Sequence, residues 1–91
     1  MRMDKFLKVA RIIKRREIAK ELCDDGDVFS NGRKAKAMTE VNPGDHIVLH
    51  LGRHELEIVV KDVRPYAKKE ETSNMYEIVR DVIHERGSEN V

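Results

Sequence analysis

The sequence predicts a small α+β fold, in which two N-terminal helices pack on a small antiparallel sheet and a further helix ends the chain. Apolar residues recur at steps of three and four near the N-terminus, and they alternate with polar residues between positions 46 and 60. Turn signals containing glycine or proline separate these segments. A length of 91 residues with 40% hydrophobic content suits one compact core.

The first predicted helix has an apolar stripe formed by Phe6, Leu7, Ala10 and Ile13. Asp4 lies at its start, where a carboxylate suits the positive end of the helix dipole. Lys5, Lys8 and Arg11 fall on another side of this helix.

The second predicted helix begins around Lys14 or Arg15 and continues to Asp24. Its stripe, which we expect to be buried, comprises Ile18, Ala19, Leu22 and Cys23. The helix ends at Asp25-Gly26, because glycine readily takes the left-handed conformation that closes a helix.

A hairpin is predicted next. Val28-Phe29-Ser30 forms a short strand, and Asn31-Gly32 forms a type I′ turn, which requires positive φ at both central residues. The returning strand is expected to run from Arg33 to Met38 and to carry Lys34 and Lys36.

Two longer strands follow the turn Asn42-Pro43-Gly44-Asp45. Residues 46–51 are predicted to form a strand in which the side chains at odd positions are buried. Gly52-Arg53 makes a tight connection to the next strand. The last strand buries Leu56, Ile58 and Val60 and ends near Val63.

The C-terminal part is predicted to be a linker and a helix. Pro65 breaks the strand pattern, residues 68–71 form a charged linker, and Thr72 or Ser73 caps the helix. The apolar stripe of this helix comprises Met75, Ile78, Val79, Val82 and Ile83. We favour packing of this stripe within the chain over binding to a partner. The predicted division is therefore a domain at residues 1–63 and a linker with a helical extension at residues 64–91.

Positive charge is concentrated at the N-terminus. Residues 2–20 carry eight basic side chains against Asp4 and Glu17, a formal charge of +6, whereas the whole chain carries +1. The rest of the chain is consequently at −5. A basic face on an otherwise acidic small domain is typical of a polyanion binder, although basic helical faces are also common as simply solvated surface.

Catalysis, metal binding and cofactor binding are not predicted. His46, His50 and His54 are each four residues from the next, but His46 and His50 fall in one strand, about 13 Å apart, which is too far for both to bind the same zinc ion. Cys23 is expected to be a small core residue. The sequence has no Gly-rich phosphate loop and no paired carboxylates typical of an active site.

Composition limits the other function classes. Four aromatic residues are too few for an extended platform for stacking single-stranded bases. The longest apolar runs, such as Ile58-Val59-Val60, are too short to cross a membrane, and the N-terminus does not resemble a signal peptide. One cysteine fits a reducing compartment. We therefore expect a cytoplasmic module without membrane contact.

An ordered series of residues resembles the S4 RNA-binding domain, also called the αL domain. The series is Arg2-x-Asp4-Lys5-x-Leu7, Arg16-x-x-Ala19-x-x-Leu22, Gly26-x-Val28-x-x-Asn31-Gly32, Lys36-Ala37 and Val41-x-x-Gly44-Asp45. The resemblance covers roughly residues 1 to 50 and implies an S4-like fold that binds RNA.

The whole chain is similar to the short stand-alone S4 proteins of bacterial ribosome quality control (RqcP-like), which are related to the heat-shock protein fifteen family. Residues 68–71 and Asn74-Met75-Tyr76 look like the C-terminal segment of that group, while Phe6 and the acidic tail depart from the heat-shock relatives. This resemblance implies binding to 23S rRNA and peptidyl-tRNA on obstructed large ribosomal subunits. It also implies support for an RqcH/NEMF-type tailing factor, which adds C-terminal alanine tails to stalled chains. Away from the ribosome, the protein is expected to be a monomer.

The predicted RNA-binding residues follow from the basic face and the S4 positions. They are Arg2, Asp4, Lys5, Lys8, Arg11, Lys14, Arg15, Arg16, Lys20, Lys34 and Lys36. Arg16 and Arg2 are placed on phosphates first, because a guanidinium fork matches phosphate geometry. Asp4 either orients Arg16 or Arg15, accepts a ribose hydroxyl, or serves only as a helix-start carboxylate or the partner of Lys8.

Three alternatives remain open from the sequence. A heat-shock-type protein would recycle stalled large subunits without tailing. A protein–protein adaptor would use the C-terminal apolar stripe. An accessory to an RNA-modifying enzyme is possible in principle, since S4 domains occur beside pseudouridine synthases, but this chain is too short to include such a catalytic domain.

Overall fold

The computed structural model describes residues 1–84, which form two helices and one antiparallel sheet. The elements are α1 (Met3–Val9), α2 (Arg16–Asp24), β1 (Val28–Ser30), β2 (Arg33–Lys34), β3 (His46–Leu51), β4 (His54–Val60), a 3-10 helix (Lys69–Asn74) and β5 (Tyr76–Ile83). The strand order is β2-β1-β3-β4-β5. The predicted α+β fold, with both helices packed on a small antiparallel sheet, is confirmed.

Both N-terminal helices lie close to their predicted positions. The stripe of α1 and the turn after it is buried at Phe6, Leu7, Ala10 and Ile13, as expected. In α2, Ala19 and Cys23 are buried, but the prediction for Ile18 is wrong, since this residue is 43% exposed. Successive residues point about 100° apart around a helix. The short α2 packs through positions 19 and 23, and Ile18 therefore lies at the edge of the contact.

A single core joins the helices to the sheet and to the C-terminal segment. Its largest fully buried side chains include Met3, Phe6, Leu7, Ile47, Leu49, Ile58 and Met75. Met75 comes from the part of the chain that the sequence analysis assigned to an appended extension. The C-terminal segment therefore contributes directly to the core of the N-terminal part.

The β1–β2 hairpin has the predicted turn, with φ of 51° at Asn31 and 84° at Gly32. The returning strand is shorter than predicted, since only Arg33–Lys34 pairs with β1. The following backbone instead meets the first turn of α1. The amide of Met3 donates to the carbonyl of Thr39 (2.8 Å), and the amide of Asp4 donates to the carbonyl of Ala37 (3.2 Å). These bonds satisfy helix N–H groups that have no partner within the helix.

The β3–β4 hairpin confirms the predicted alternation except at Leu51, which is only partly buried. Ile47 and Leu49 of β3 are buried, as are Leu56, Ile58 and Val60 of β4. Strand β4 ends at Val60, three residues earlier than expected near Val63. The ladder stops there because the amides of Lys61 and Asp62 both donate to the carbonyl of Met75.

The predicted C-terminal helix is wrong, because residues 76–83 form β5 along the open edge of β4. The register pairs Ile58 with Ile78 but Glu57 with Arg80, so Val79 is an extra residue in β5. Such a bulge shifts the alternation of side chains. The apolar residues of this segment stand in pairs at positions 78–79 and 82–83, a spacing that also fits a helix. The β-branched residues of this segment favour a strand, and β4 supplies the partner.

The predicted packing of the C-terminal stripe is only partly correct. Met75 is fully buried, whereas Ile78 and Val79 are each 53% exposed and Ile83 is also exposed. Residues 68–71 are not an open linker, since most of them belong to the 3-10 helix. The remainder of the predicted extension, residues 85–91, lies outside the described residues. Among residues 1–84, no helix has the length and apolar character needed to cross a bilayer.

Candidate nucleic-acid interface

A buried carboxylate at the start of α1 holds two arginines. The side chain of Asp4 is only 5% exposed, and its Oδ2 lies 3.2 Å from Nε of Arg16. Its Oδ1 lies 3.3 Å from Nε of Arg2 and 3.4 Å from Nη2 of Arg16. Arg2 precedes α1, and Arg16 begins α2, so the packing of the helices brings together residues from separate elements.

This geometry supports one of the roles that the sequence left open for Asp4, the orientation of Arg16. The carboxylate contacts Arg16 and additionally Arg2, and its ion pairs within the described chain include neither Arg15 nor Lys8. Both arginine side chains remain about half exposed. A guanidinium has five N–H donors, so each arginine keeps donors for an external anion. Asp4 therefore fixes the orientation of two exposed cations.

The environment of Asp4 favours its charged form. Burial alone would raise the pKa of the Asp4 carboxyl, but the hydrogen bond and charge of Arg16, the Lys5 amide and the charge of Arg2 outweigh burial. The pKa of Asp4 consequently lies below its usual value of 3.8. The carboxylate is ionised at neutral pH, and the three-residue cluster has a net charge of +1.

We expect Asp4→Asn to lower the free energy of unfolding at pH 7 by about 1–3 kcal/mol, because it weakens charge-assisted bonds to both arginines. A carboxyl with a depressed native pKa stabilises the fold above its unfolded pKa of about 3.9, and this contribution is lost as pH falls through the native pKa. Denaturant titrations should therefore show a gap between the native chain and Asp4→Asn that shrinks below about pH 4. Glu21→Gln, which removes an exposed carboxylate of α2, is the control and should change stability by less than about 0.5 kcal/mol. A gap that stays constant from pH 7 to pH 3 would contradict the linkage.

Four of the predicted cations surround a hollow between α2 and the segment after β2. They are Arg2, Lys20, Lys34 and Lys36. Lys34, on the hairpin, extends its side chain over Gly26. A Cβ placed on Gly26 would lie 3.5 Å from Nζ of Lys34. Asp24 and Asp25 also line this hollow, which limits its positive potential at one end. Because Arg2 also contacts Asp4, this hollow continues directly from the Asp4 cluster.

The other predicted cations lie elsewhere. Lys8, Arg11 and Lys14 line a second hollow beside the turn that joins the helices, together with Tyr66 and Ala67. Lys5 and Arg15 line neither hollow. Nine of the eleven predicted residues therefore form two groups rather than one uniform face, and the other two belong to neither group. Tyr66 was not among the predicted residues, although its position, an aromatic residue directly after a proline in a polar segment, is a recognisable signal in the sequence.

The three histidines weighed as zinc ligands contact three different carboxylates, while His84 shares Glu55 with His50. His46 lies 3.6 Å from Glu57, His50 lies 3.6 Å from Glu55, and His54 contacts Asp81. In the part of the chain that the structure describes, no three potential ligands converge on a metal position.

Cys23 is buried on α2, as its position in the apolar stripe predicted. Burial, together with the charges of Asp4 and Asp24, raises the pKa of its thiol to about 11. The residue is therefore a protonated thiol at neutral pH, a form that is a poor nucleophile.

Comparisons with known proteins agree with this architecture. The S4 domain family matches residues 1–47. The RQC P-site tRNA stabilizing factor of Bacillus subtilis is 46% identical over 81 residues, which are 89% of this chain and 94% of that protein. The factor of the same name from Streptococcus pneumoniae is 42% identical over the full length of both chains. The structure of the trimeric heat shock protein 15 of Vibrio cholerae superimposes with a TM-score of 0.81 at 30% identity, covering 87% of this chain and 81% of that one.

The fold and the cluster at Asp4 thus define a small S4 domain protein. The similarity to the relatives from B. subtilis and S. pneumoniae extends well beyond the S4 match and through nearly all of their length. This chain belongs to the family of RQC P-site tRNA stabilizing factors, and its relation to heat shock protein 15 is more distant.

Proposed function

We propose that this protein is a non-enzymatic RNA-binding factor of ribosome-associated quality control. It binds 23S rRNA and peptidyl-tRNA on obstructed large ribosomal subunits, and it supports an RqcH/NEMF-type factor in adding alanine tails to stalled chains. In this proposal residues 1–63 form the RNA-binding domain, and the protein is cytoplasmic and monomeric off the ribosome.

The observation that carries the proposal is the pair of arginines held by buried Asp4. Two guanidinium groups held by one carboxylate are suited to phosphate, because the planar fork of each matches phosphate oxygens. The carboxylate also orients both side chains before RNA binds, which lowers the entropy cost of binding. The adjoining Lys20, Lys34 and Lys36 extend the positive surface along an RNA backbone. Structured RNA is recognised largely through its shape and backbone, and a compact basic surface serves that purpose.

The names of the relatives suggest which RNA is bound and in which process. The proteins from B. subtilis and S. pneumoniae are named for stabilising a P-site tRNA in RQC, and this chain matches them over nearly their full length. The proposal extends that role to this chain and adds the contact with 23S rRNA and the support of tailing.

The test uses purified large subunits with and without peptidyl-tRNA in the P site. We expect the native chain to cosediment preferentially with obstructed subunits. We also expect alanine tails on a stalled reporter to disappear in cells that lack the protein. Equal binding to empty subunits would contradict the tRNA contact, and normal tailing without the protein would favour the heat-shock-type recycling function.

A second candidate function, that of a protein–protein adaptor, is favoured by the exposed apolar residues Ile78, Val79 and Ile83 of β5. Ile78→Ser with Ile83→Ser distinguishes the two functions. An adaptor would no longer bind its tailing factor but would keep its ribosome association. A chain that works only through RNA would keep both.

A further inference from the structure

Tyr66 is an exposed aromatic residue that borders the second hollow. Its side chain is 81% exposed, whereas the other tyrosine of the chain, Tyr76, is half-buried against the core. Lys8, Arg11 and Lys14 line the same hollow. The hollow lies outside the Asp4 cluster, and Tyr66 lies beyond the residues that match the S4 family.

The segment that carries Tyr66 is anchored on both sides. Val63 and Ala67 pack against the core. Nε of Arg64 lies 2.6 Å from Asp62, and its Nη1 lies 3.3 Å from Glu71. Glu71 in turn accepts the amide hydrogen bond of Lys68. Because these contacts and Pro65 restrict the backbone, the ring is presented from a defined position, which lowers the entropy cost of binding to it.

The segment that carries Arg11 and Lys14 is also held by backbone structure. Arg11 takes a left-handed conformation, with φ of 61°, and the amides of Ile12 and Ile13 both donate to the carbonyl of Leu7. Ile13 is buried, so this turn directs Arg11 and Lys14 to the surface. Within residues 1–84, neither of these two cations nor Lys8 forms an ion pair. The hollow therefore combines an aromatic surface with three cations available to an external anion.

We propose that this hollow is a second RNA contact, which binds one unpaired nucleotide by stacking its base on Tyr66 and placing its phosphates against Lys8, Arg11 and Lys14. This inference rests on the proposed function and extends it from recognition of backbone to capture of a base. Aromatic stacking accepts any base, because every base has a π face, and arginine contributes by cation–π contact.

A nucleotide fits the hollow better than an acidic peptide. The described residues that line it include three cations and no carboxylate. Lys14 is followed in the sequence by Arg15 and Arg16, both exposed, so the hollow is succeeded along the chain by further basic residues. An acidic peptide would satisfy the cations but would not require the exposed ring.

The test compares two RNA hairpins that differ only at one bulged position, which is an unpaired nucleotide in one and an abasic site in the other. Fluorescence anisotropy at one salt concentration gives the dissociation constants. The native chain is expected to prefer the hairpin with the base. Tyr66→Ala is expected to weaken binding of that hairpin about 5-fold or more, since base–aromatic stacking contributes about 1–3 kcal/mol per base. Binding of the abasic hairpin should not change.

Tyr66→Phe is the matched control, because it keeps the ring and should retain native affinity for both hairpins. An equal loss for both hairpins in Tyr66→Ala, or no loss for either, would overturn base stacking. The site would belong to a protein segment if a polyglutamate peptide bound the native chain, bound Tyr66→Ala more weakly, and no base dependence were seen with RNA.

The failure of this inference can be separated from that of the proposed function. If the native chain binds obstructed large subunits and Tyr66→Ala shows no base-dependent loss, only the second RNA contact is wrong. If the native chain binds neither hairpin and no large subunit, both are wrong.

Discussion

Arg16→Ala is expected to weaken the binding of obstructed large subunits about 10-fold or more. The substitution removes a guanidinium that Asp4 orients, and hydrogen bonds to charged groups contribute about 1.5–3 kcal/mol each. It also leaves Asp4 with Arg2 as its remaining partner in the cluster. Quantitative cosedimentation over a series of salt concentrations measures the effect. The slope of log affinity against log salt should become shallower by about 0.7–0.9 for each phosphate that the protein no longer neutralises.

Two control variants separate orientation from simple charge. Arg15→Ala removes the neighbouring cation, which forms no ion pair with Asp4, and it should weaken binding much less. Arg16→Lys keeps the charge but cannot reproduce the planar fork, so an intermediate loss is expected. Equal effects of Arg15→Ala and Arg16→Ala would mean that the surface acts only through its total charge. Unchanged cosedimentation in Arg16→Ala would place the ribosome-binding surface on another part of the molecule.

Met75→Ala is expected to lower the free energy of unfolding by about 2–5 kcal/mol, the usual cost of truncating a large buried side chain. Met75 is fully buried in the common core, and its carbonyl accepts the amides of Lys61 and Asp62. A chain of this length typically has about 5–14 kcal/mol of total stability. The substitution should therefore remove a large part of it, as measured by urea denaturation followed by circular dichroism.

Met75→Leu conserves most of the volume and should cost less than about 1.5 kcal/mol. Ile83→Ala truncates an exposed residue of β5 and should change stability by less than about 0.5 kcal/mol. A single cooperative transition in all three variants is the expected behaviour. If Met75→Ala left the main transition unchanged, the C-terminal segment would have to unfold independently of the helices and the sheet.

Local patterns were sufficient for most of the N-terminal part, except for the length of the returning strand and the burial of Ile18. The apolar side of an element can be identified from the spacing of apolar residues, and that side is the one that is buried. This holds for the stripe at Phe6, Leu7 and Ala10 and for the alternation through β3 and β4. The turn at Asn31-Gly32 was predictable because its backbone needs residues that tolerate positive φ. The ordered S4 series located Arg2, Asp4 and Arg16 before any distance was known.

The C-terminal segment could not be assigned in this way. Its apolar spacing fits both a helix and a bulged strand, and the deciding factor is the open edge of β4, which is remote in sequence. The exposure of Ile18 likewise depends on how far around α2 the packing extends.

The fold class, the two helices, the turns and the concentration of positive charge follow from the sequence alone, because each depends on residues close together in the chain. Only the folded structure showed that residues 76–83 form a fifth strand and that Asp4 forms ion pairs with both arginines. The same is true of the division of the cations into two groups and of the position of Tyr66 beside one of them. These features depend on hydrogen bonds, ion pairs and packing between segments that approach each other only when the chain folds.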